Sequence, residues 1–572
     1  MQNMHSEHNN KAIPATGQLM LDYVYEHELA LADQVFLTQP VGNGQVRDYT
    51  WAQTMDQARR MATHLKSLGL EPGARMAILS KNCAHFFIAE LAIWLAGGTT
   101  VAIFPTETAE TIRHVLQHSG ASLLFVGKLD MWEQQAAAIP PGLPCIAMPL
   151  APATPFESWD TVTRRTAPLT GRVMRAASDM AILMYTSGST GQPKGVMHSF
   201  AAATAAGVGM QHFVQQYLGA EDELRMLSYL PLAHIYERAW VECTALVNGR
   251  SHIYFAESLD TFLQDLARAR PNVFASVPRL WQKFQQGVFQ KVPAKKLDRL
   301  LGIPILGRLV GRKVLKGLGL DQARLAASGS APIPPELIVW YRRLGLNLME
   351  GYAMTEDFAY SHASTPHFNA PGCVGLPLPG VEVRISEEGE VLLKSPGQML
   401  GYYKQPELDD QVFTPDGFFH TGDKGERDAN GLLKLTGRVK ELFKTSKGKY
   451  IAPAPIENLL NAHPMVEQSL VSGVGQSAAY AMVVLTEALR PRVGDAAVRS
   501  EVERELGQLL KDVNRQLADY EQLRMLVVAP EPWSVENGYL TPTMKIRRNR
   551  IESAVQTRME GWYASHSTVC WA

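Results

Sequence analysis

Thr50 and Gln53 bracket the start of a stretch in which Trp51, Met55, Ala58, Ala62 and Leu65 recur at helical spacing, and Gly69 follows as a stop. A threonine whose hydroxyl can accept the N–H three residues on, with a glutamine there to reach back, is a capping box. The pattern therefore predicts an amphipathic helix closed by glycine. Short apolar runs follow at 76–79, 123–126, 181–185, 226–230, 273–277 and 325–328, many of them separated by helix-length segments. Strands buried on both faces read as such continuous runs, so this alternation predicts an α/β body with mainly parallel sheets. The most apolar stretch, 86–104, is broken by Glu90 and by Gly97 and Gly98. It falls short of the roughly 20 apolar residues that span a bilayer and predicts a buried helix running into a core strand. Beyond about Gly375 the texture changes: 381–385 and 391–394 flank a turn at Glu387, Glu388 and Gly389, as in a small β region. From Arg438 onward a strand at 479–485, a helix around 498–517 and a strand at 524–528 predict a compact α+β domain. The expected fold is α/β, with a large N-terminal domain over 1–437 and a small C-terminal domain over 438–572.

Composition narrows the partners. With 572 residues and 46% hydrophobic content the chain can bury a large core and divide into at least two domains. Lys and Arg number 55 against 56 Asp and Glu, and the part from Arg438 on carries 17 basic and 15 acidic residues, so neither domain is polarised enough to suggest nucleic acid. Cys83, Cys145, Cys243, Cys373 and Cys570 are scattered, odd in number and without C-x-x-C spacing, which argues against a disulfide framework or structural zinc and for a reducing cytoplasm. The opening MQNMHSEHNNKAIPATG is polar, lacks the apolar core of a secretory signal and is expected to be a loose leader. One local exception is 291–316, where eight Lys or Arg accompany a single Asp298 among Leu, Ile and Val. Such a segment suits an anionic membrane surface; the plainer expectation is a solvated helix pair broken by Gly302, Pro304 and Gly307.

The most informative motif is YTSGSTGQPKG at 185–195, directly after an apolar run. The hydroxyls of Thr186, Ser187, Ser189 and Thr190, with flexible Gly188 and Gly191, can wrap donors around phosphate oxygens, and Lys194 adds a point charge. A Ser/Gly-rich run alone is usually a linker, but one wedged between a buried strand and a Pro-Lys-Gly turn reads as a phosphate loop. It is not a Walker A loop, because Gln192 and Pro193 separate Gly191 from Lys194.

This loop resembles the signature of the adenylate-forming superfamily, which includes acyl-CoA synthetases, peptide-synthetase adenylation domains and beetle luciferases. The resemblance continues in order with SGSAP at 328–332, EGYAMTE at 350–356, FHTGDKG at 419–425, GRVKE at 437–441 and LTPTMKIR at 540–547. It implies ATP and Mg²⁺ as cofactors, with Ser330, Glu350, Gly351 and Tyr352 around adenine and Thr355 and Glu356 holding the metal. Asp423 and Arg438 would take the ribose, and Lys545 would reach the α-phosphate and the attacking carboxylate. Lys440 matches the family's hinge, about which a mobile C-terminal domain swings to admit a thiol. Outside these contexts each charge would read as ordinary surface, and Tyr352 as core.

The segments KTSKGKYIAPAPIEN at 444–458 and LSYLPLAHIYER at 227–238 resemble long-chain fatty acyl-CoA synthetases most closely, and His234 in the second would stand near the carboxylate, although a histidine beside Leu and Ile is as often a core residue. Two departures stand out: Ala353 replaces a usual glycine at the acyl pocket, and the segment before Ser328 is short beside the larger long-chain enzymes. The expected activity is ligation of a medium- or long-chain fatty acid to CoA through an acyl-adenylate. The alternatives are an aryl-acid or carrier-protein ligase and a non-catalytic nucleotide- or lipid-binding homologue. Fatty acid and CoA are the expected partners, a homodimer is admitted, and the setting is cytoplasmic, with peripheral contact to the inner face of a membrane through 291–316 as a further option.

Overall fold

The computed structural model describes residues 17–187, 193–219, 222–446, 448–541 and 544–572. Of the N-terminal stretch expected to be a leader, 1–17, residues 1–16 lie outside them. Among the described residues no helix is long and apolar enough to cross a membrane.

An eight-stranded sheet forms the first layer. Its strand order is Gly401–Tyr402, Pro193–Ser199, Met180–Ser187, Thr99–Ile103, Arg75–Leu79, Leu123–Val126, Cys145–Ala147 and Glu157–Ser158. From Met180–Ser187 outward every pairing is parallel, while Pro193–Ser199 and Gly401–Tyr402 add an antiparallel edge. The capped helix forms as its sequence predicts, over Trp51–Ser67: Gln53 N–H donates to the Thr50 hydroxyl at 3.3 Å and Thr50 N–H to the Gln53 amide oxygen at 3.1 Å. It packs against the helix Ala84–Leu95, whose twelve residues are all buried, and Thr99–Ile103 follows as the expected core strand.

A second sheet pairs Val273–Ser276, Leu325–Ser328 and Leu348–Tyr352 in parallel and continues antiparallel through His362–Ala363 and Leu376–Pro377. A third joins Leu224–Ser228 and Ser251–Phe255 to Val35–Gly42 and Gln45–Thr50. The small β region is an antiparallel sheet of Glu382–Ile385, Glu390–Lys394, Phe419–Arg427 and Leu433–Arg438.

The C-terminal part has its own sheet, Val466–Ser472, Ala479–Leu485, Leu523–Val528 and Val569–Trp571, with hydrophobic clusters on both faces. Its long helix runs Ala496–Asn514 rather than to 517. Asn514 ends it by turning its amide to the next strand, donating to the Leu523 carbonyl at 2.9 Å and accepting the Leu523 N–H at 2.8 Å. This smaller domain touches the larger one where Arg279 pairs with Glu467 and where Gln282 donates to the Asn461 carbonyl at 2.9 Å.

Candidate active site

Three sheets deliver their strand ends to one cleft. In the first, the hairpin Met180–Ser187 and Pro193–Ser199 sets Thr186 opposite Lys194 and Ser187 opposite Pro193. The loop candidates Gly188, Ser189, Thr190 and Gly191 lie outside the described residues. The Lys194 ammonium stands 5.3 Å from the Tyr402 ring centroid, a cation–π contact held by the pairing of Gly401–Tyr402 with the same hairpin.

Tyr402 links this edge to Glu356, donating its hydroxyl to the carboxylate at 2.9 Å. The Glu356 carbonyl accepts the Met399 N–H at 2.8 Å. Glu356 lies in the single turn Thr355–Asp357, directly followed by two non-glycine residues in the left-handed region, Phe358 (φ 55°) and Ala359 (φ 53°). Strained backbone beside a positioned carboxylate is characteristic of functional turns. Asp357 caps the turn by accepting the Met354 N–H at 3.0 Å, and burial, followed by the nearby Glu356 charge, pushes its carboxyl up to about 8 against the pull of that hydrogen bond.

The second sheet supplies Glu350 opposite Ser328, Gly351, Tyr352 and, just past the strand Leu325–Ser328, Ser330 at φ 68°. These sit at the carboxyl ends of parallel strands, where α/β sheets bind ligands. A Cβ at Gly351 would come within 3.4 Å only of the His362 carbonyl, so the glycine leaves a bare stretch of backbone rather than relieving a clash. Glu350 is buried with one carboxylate oxygen unpartnered among the described residues, and burial pushes it up to about 8.

The small sheet supplies Asp423 and Arg438, paired across Phe419–Arg427 and Leu433–Arg438. Asp423 is buried, accepting from the Tyr352 hydroxyl at 2.7 Å on one oxygen and from Arg438 Nε at 2.8 Å on the other. Asp423 thereby raises the Arg438 pKa, while burial, with Asp423 second, holds the Tyr352 phenol protonated.

Lys545, from the C-terminal part, completes the group. It is reached by solvent within the cleft, yet protein crowds it enough to lower its pKa; Arg438 adds to that effect, and Asp423, Glu356 and Glu441 oppose it. Its N–H donates to the Thr541 hydroxyl at 3.1 Å. Lys545 also lowers the pKa of His234, to which burial makes the larger contribution, and the imidazole is held down at about 3. His234 Nδ1 accepts the Tyr236 N–H at 3.2 Å, so the neutral ring carries its proton on Nε2 and offers it as a donor. Two residues on, the charge of Arg547 reaches Glu107 of the larger domain and partly offsets the burial that raises the Glu107 carboxyl.

The expected residues Glu356, Tyr352, Asp423, Arg438, Lys545 and His234 thus converge, with Lys194 joined to Glu356 through Tyr402. Lys440 stands apart, exposed in the turn Val439–Glu441. For Mg²⁺, Glu356 offers an oxygen site beside the cationic Lys194. No group of three or more His, Cys, Asp or Glu among the described residues could hold a metal unaided, so the donor set suits a hard cation that arrives on phosphates and is shared with one carboxylate.

Residues 27–403 match the family model for AMP-binding enzyme, and 441–567 the model for the AMP-binding enzyme C-terminal domain. The chain belongs to the AMP-binding enzyme family. Within it, the chain is similar to long-chain-fatty-acid--CoA ligase FadD15 of Mycobacterium bovis, at 31% identity over 94% of this chain and 96% of the relative. It is also similar to long chain acyl-CoA synthetase 2 of Arabidopsis thaliana, at 27% over 92% and 88%. In fold it matches the A domain of carboxylic acid reductase from Segniliparus rugosus, solved with AMP and a co-purified carboxylic acid. The TM-score is 0.79 at 21% identity, covering 96% of this chain and 95% of that one. An anthranilate CoA ligase, AuaEII, solved with anthranoyl-AMP, follows at a TM-score of 0.76 and 21% identity.

Sequence reasoning passed over Tyr402 and Glu441 as functional neighbours in this AMP-binding enzyme. Glu441 closes the GRVKE motif, and its position there was the available signal. Tyr402 had none, since a tyrosine in Gly401-Tyr402-Tyr403 reads as core.

The raised carboxyls predict a pH dependence of stability. Glu350, Asp357 and Glu237, the last also raised by burial, each sit near 8 when folded, against ordinary values of 4.5, 3.8 and 4.5. Across the interval between the unfolded and folded values the folded chain holds protons that the unfolded chain has lost. Stability is therefore expected to fall as pH rises toward about 8 and to level off above it. Thermal melts of ligand-free protein from about pH 5 to about pH 9 should show this slope, and Glu350→Gln should flatten it in part. An unchanged slope in that variant would remove Glu350 from the account.

Proposed function

We propose that this AMP-binding enzyme is an ATP-dependent fatty acyl-CoA synthetase. A medium- or long-chain fatty acid, ATP and CoA give acyl-CoA, AMP and pyrophosphate through an acyl-adenylate. One observation carries the reading: Lys545, distant in sequence, stands close enough to Arg438, Asp423 and Glu356 for their charges to act on its ammonium. The near-complete coverage of relatives named as long-chain ligases supports the choice of acid.

Two anions must meet while pyrophosphate leaves, so the site has to supply positive charge where negative charge accumulates. Lys194, Thr186 and Ser187, with the loop 188–191, hold the outer phosphates. Thr355 and Glu356 would hold Mg²⁺, which would supply charge neutralisation at the phosphate oxygens. Glu350, Gly351, Tyr352 and Ser330 border the adenine. Asp423, its side chain fixed by Tyr352 and Arg438, keeps lone pairs for the ribose hydroxyls. Lys545 donates to the α-phosphate and the incoming carboxylate, and neutral His234 can donate Nε2–H to the same carboxylate. Residues 438–572 act as a mobile domain on 1–437, turning about Lys440, so that the cleft is dry during adenylation and open to the thiol afterwards.

The test is AMP release with CoA over fatty acids of graded length and several aryl acids. Thioester formation is expected with medium- to long-chain aliphatic acids. Acid-dependent ATP/pyrophosphate exchange without any thioester on free CoA would move the acceptor to a carrier protein. Turnover of aryl acids alone would overturn the choice of acid, and the absence of exchange across the whole panel would leave a non-catalytic homologue.

A further inference from the structure

The segment 291–316 forms two surface helices; the first, Ala294–Leu301, buries Leu297 and exposes its charges in the ordinary way, and the second does not follow that pattern throughout. The second, Leu306–Gly317, buries Gly307, Gly311 and Leu315 and leaves Leu306 and Leu309 outside. The glycines are why: a Cβ at Gly311 would lie 2.5 Å from the Leu344 carbonyl oxygen and one at Gly307 would lie 2.4 Å from that of Leu301, so the helix seats itself on bare backbone. At about 100° per residue, Leu306, Leu309, Lys313 and Lys316 then fall on the opposite side. An ordinary surface helix buries its aliphatic side chains and exposes its charges; this one buries Leu315 and half-buries Val310 and Val314, but in its first turn exposes Leu306 and Leu309 alongside the charges.

The turn into that helix sharpens the point. Ile305 is 76% exposed and Leu309 59%, and Ile303 and Leu306 are exposed beside them. Ile305 adopts φ 65°, ψ −56°, a backbone conformation that a β-branched residue rarely takes. The turn is closed by Leu306 N–H to the Pro304 carbonyl at 2.8 Å and Gly307 N–H to the Ile303 carbonyl at 2.7 Å. Strain is thus spent on holding an isoleucine in water, where it gains nothing from folding.

Around this apolar tip the charge has one sign. All eight Lys and Arg of 291–316 are exposed, including Lys295, Lys296 and Arg299 on the helix Ala294–Leu301 and Arg308 and Arg312 on the next, and none is ion-paired to another described residue. The single acid, Asp298, is taken by Arg343 at 2.7 Å.

We infer that 291–316 docks the protein on an anionic lipid surface, with Ile303, Ile305, Leu306 and Leu309 inserted among the acyl chains and the basic residues at the headgroups. Charge complementarity selects the occupant. A basic ring around exposed aliphatics matches a phosphate-bearing surface with an apolar layer beneath it, and is repelled by a second copy of itself. The inference goes beyond the ligase reaction and does not depend on it.

The test is co-sedimentation of the full chain with vesicles of phosphatidylcholine, with and without phosphatidylglycerol. Binding is expected only with the anionic lipid and should weaken as salt rises. Removing single charges, as in Arg308→Gln or Lys313→Gln, should weaken binding about five-fold each. The pair Ile305→Ser and Leu309→Ser should weaken it about ten-fold or more, with an unchanged melting temperature and unchanged ATP/pyrophosphate exchange on micelle-dispersed acid. Equal binding to neutral and anionic vesicles, wild-type binding by the serine variant, or a concentration-dependent dimer abolished by it without any lipid binding would overturn the inference.

Discussion

Lys545→Ala is expected to slow acyl-adenylate formation by about 10² to 10³, the usual effect of removing one donor aimed at developing charge. The same variant should convert supplied acyl-adenylate and CoA to thioester at close to the parent rate, because the thiol step has no need of a donor at the α-phosphate. Single-turnover pyrophosphate release measures the first effect, and thioester formation from preformed adenylate measures the second. The parent protein should also lose adenylation on the alkaline side at a pH below the ordinary lysine value of 10.5, since protein crowding and Arg438 lower the Lys545 pKa. A variant that adenylates at the parent rate would remove Lys545 from the chemistry.

Arg238→Met is expected to cost about 3–5 kcal/mol of stability, the effect of stripping one partner from a buried ionic cluster. Arg238 is fully buried; it pairs with Glu90 and, at 3.1 Å, with Glu242, and it donates from Nε to the Leu232 carbonyl at 3.0 Å. Without the guanidinium the Glu90 and Glu242 carboxyls would face each other out of water, where burial and then Glu90 already push Glu242 well above the usual carboxylate range. The loss would fall on the π-helical turn Arg238–Cys243 that follows His234, so the site should loosen with the core. Urea midpoints measure it. Replacing all three residues with apolar ones of similar size should recover most of the stability, whereas a parent-like midpoint for the single variant would show that the cluster carries no net load.

The contrast between Arg238 and the first helix shows where sequence reasoning reaches. The helix Trp51–Ser67 was legible with its cap because all its determinants lie within one stretch. The parallel strands were legible because burial on both faces leaves unbroken apolar runs. Glu90 read as an interruption of the apolar stretch 86–104, since its partner stands 148 residues further on. Tyr402 failed for a similar reason: a two-residue strand has no period, and its place beside Pro193–Ser199 comes from sheet pairing alone. The helix expected to reach 517 stops at Asn514 because of bonds to Leu523, a partner that helical spacing cannot reveal. Within the cleft the motifs delivered residue types but not their mutual fixing. That Tyr352 and Arg438 clamp the two oxygens of Asp423, and that Tyr236 decides the tautomer of His234, are facts of packing.

Lys194 comes from the first large sheet and Lys545 from near the end of the chain, and between them lie Glu356, Asp423 and Arg438. A chain emerging from the ribosome can close the sheets that frame the cleft long before it has the last lysine, because domains fold as units in order of synthesis. An unfinished or prematurely terminated chain would therefore lack the proposed catalytic lysine. On the proposed mechanism, a copy that stops short of Lys545 would frame the nucleotide site without forming the reactive mixed anhydride.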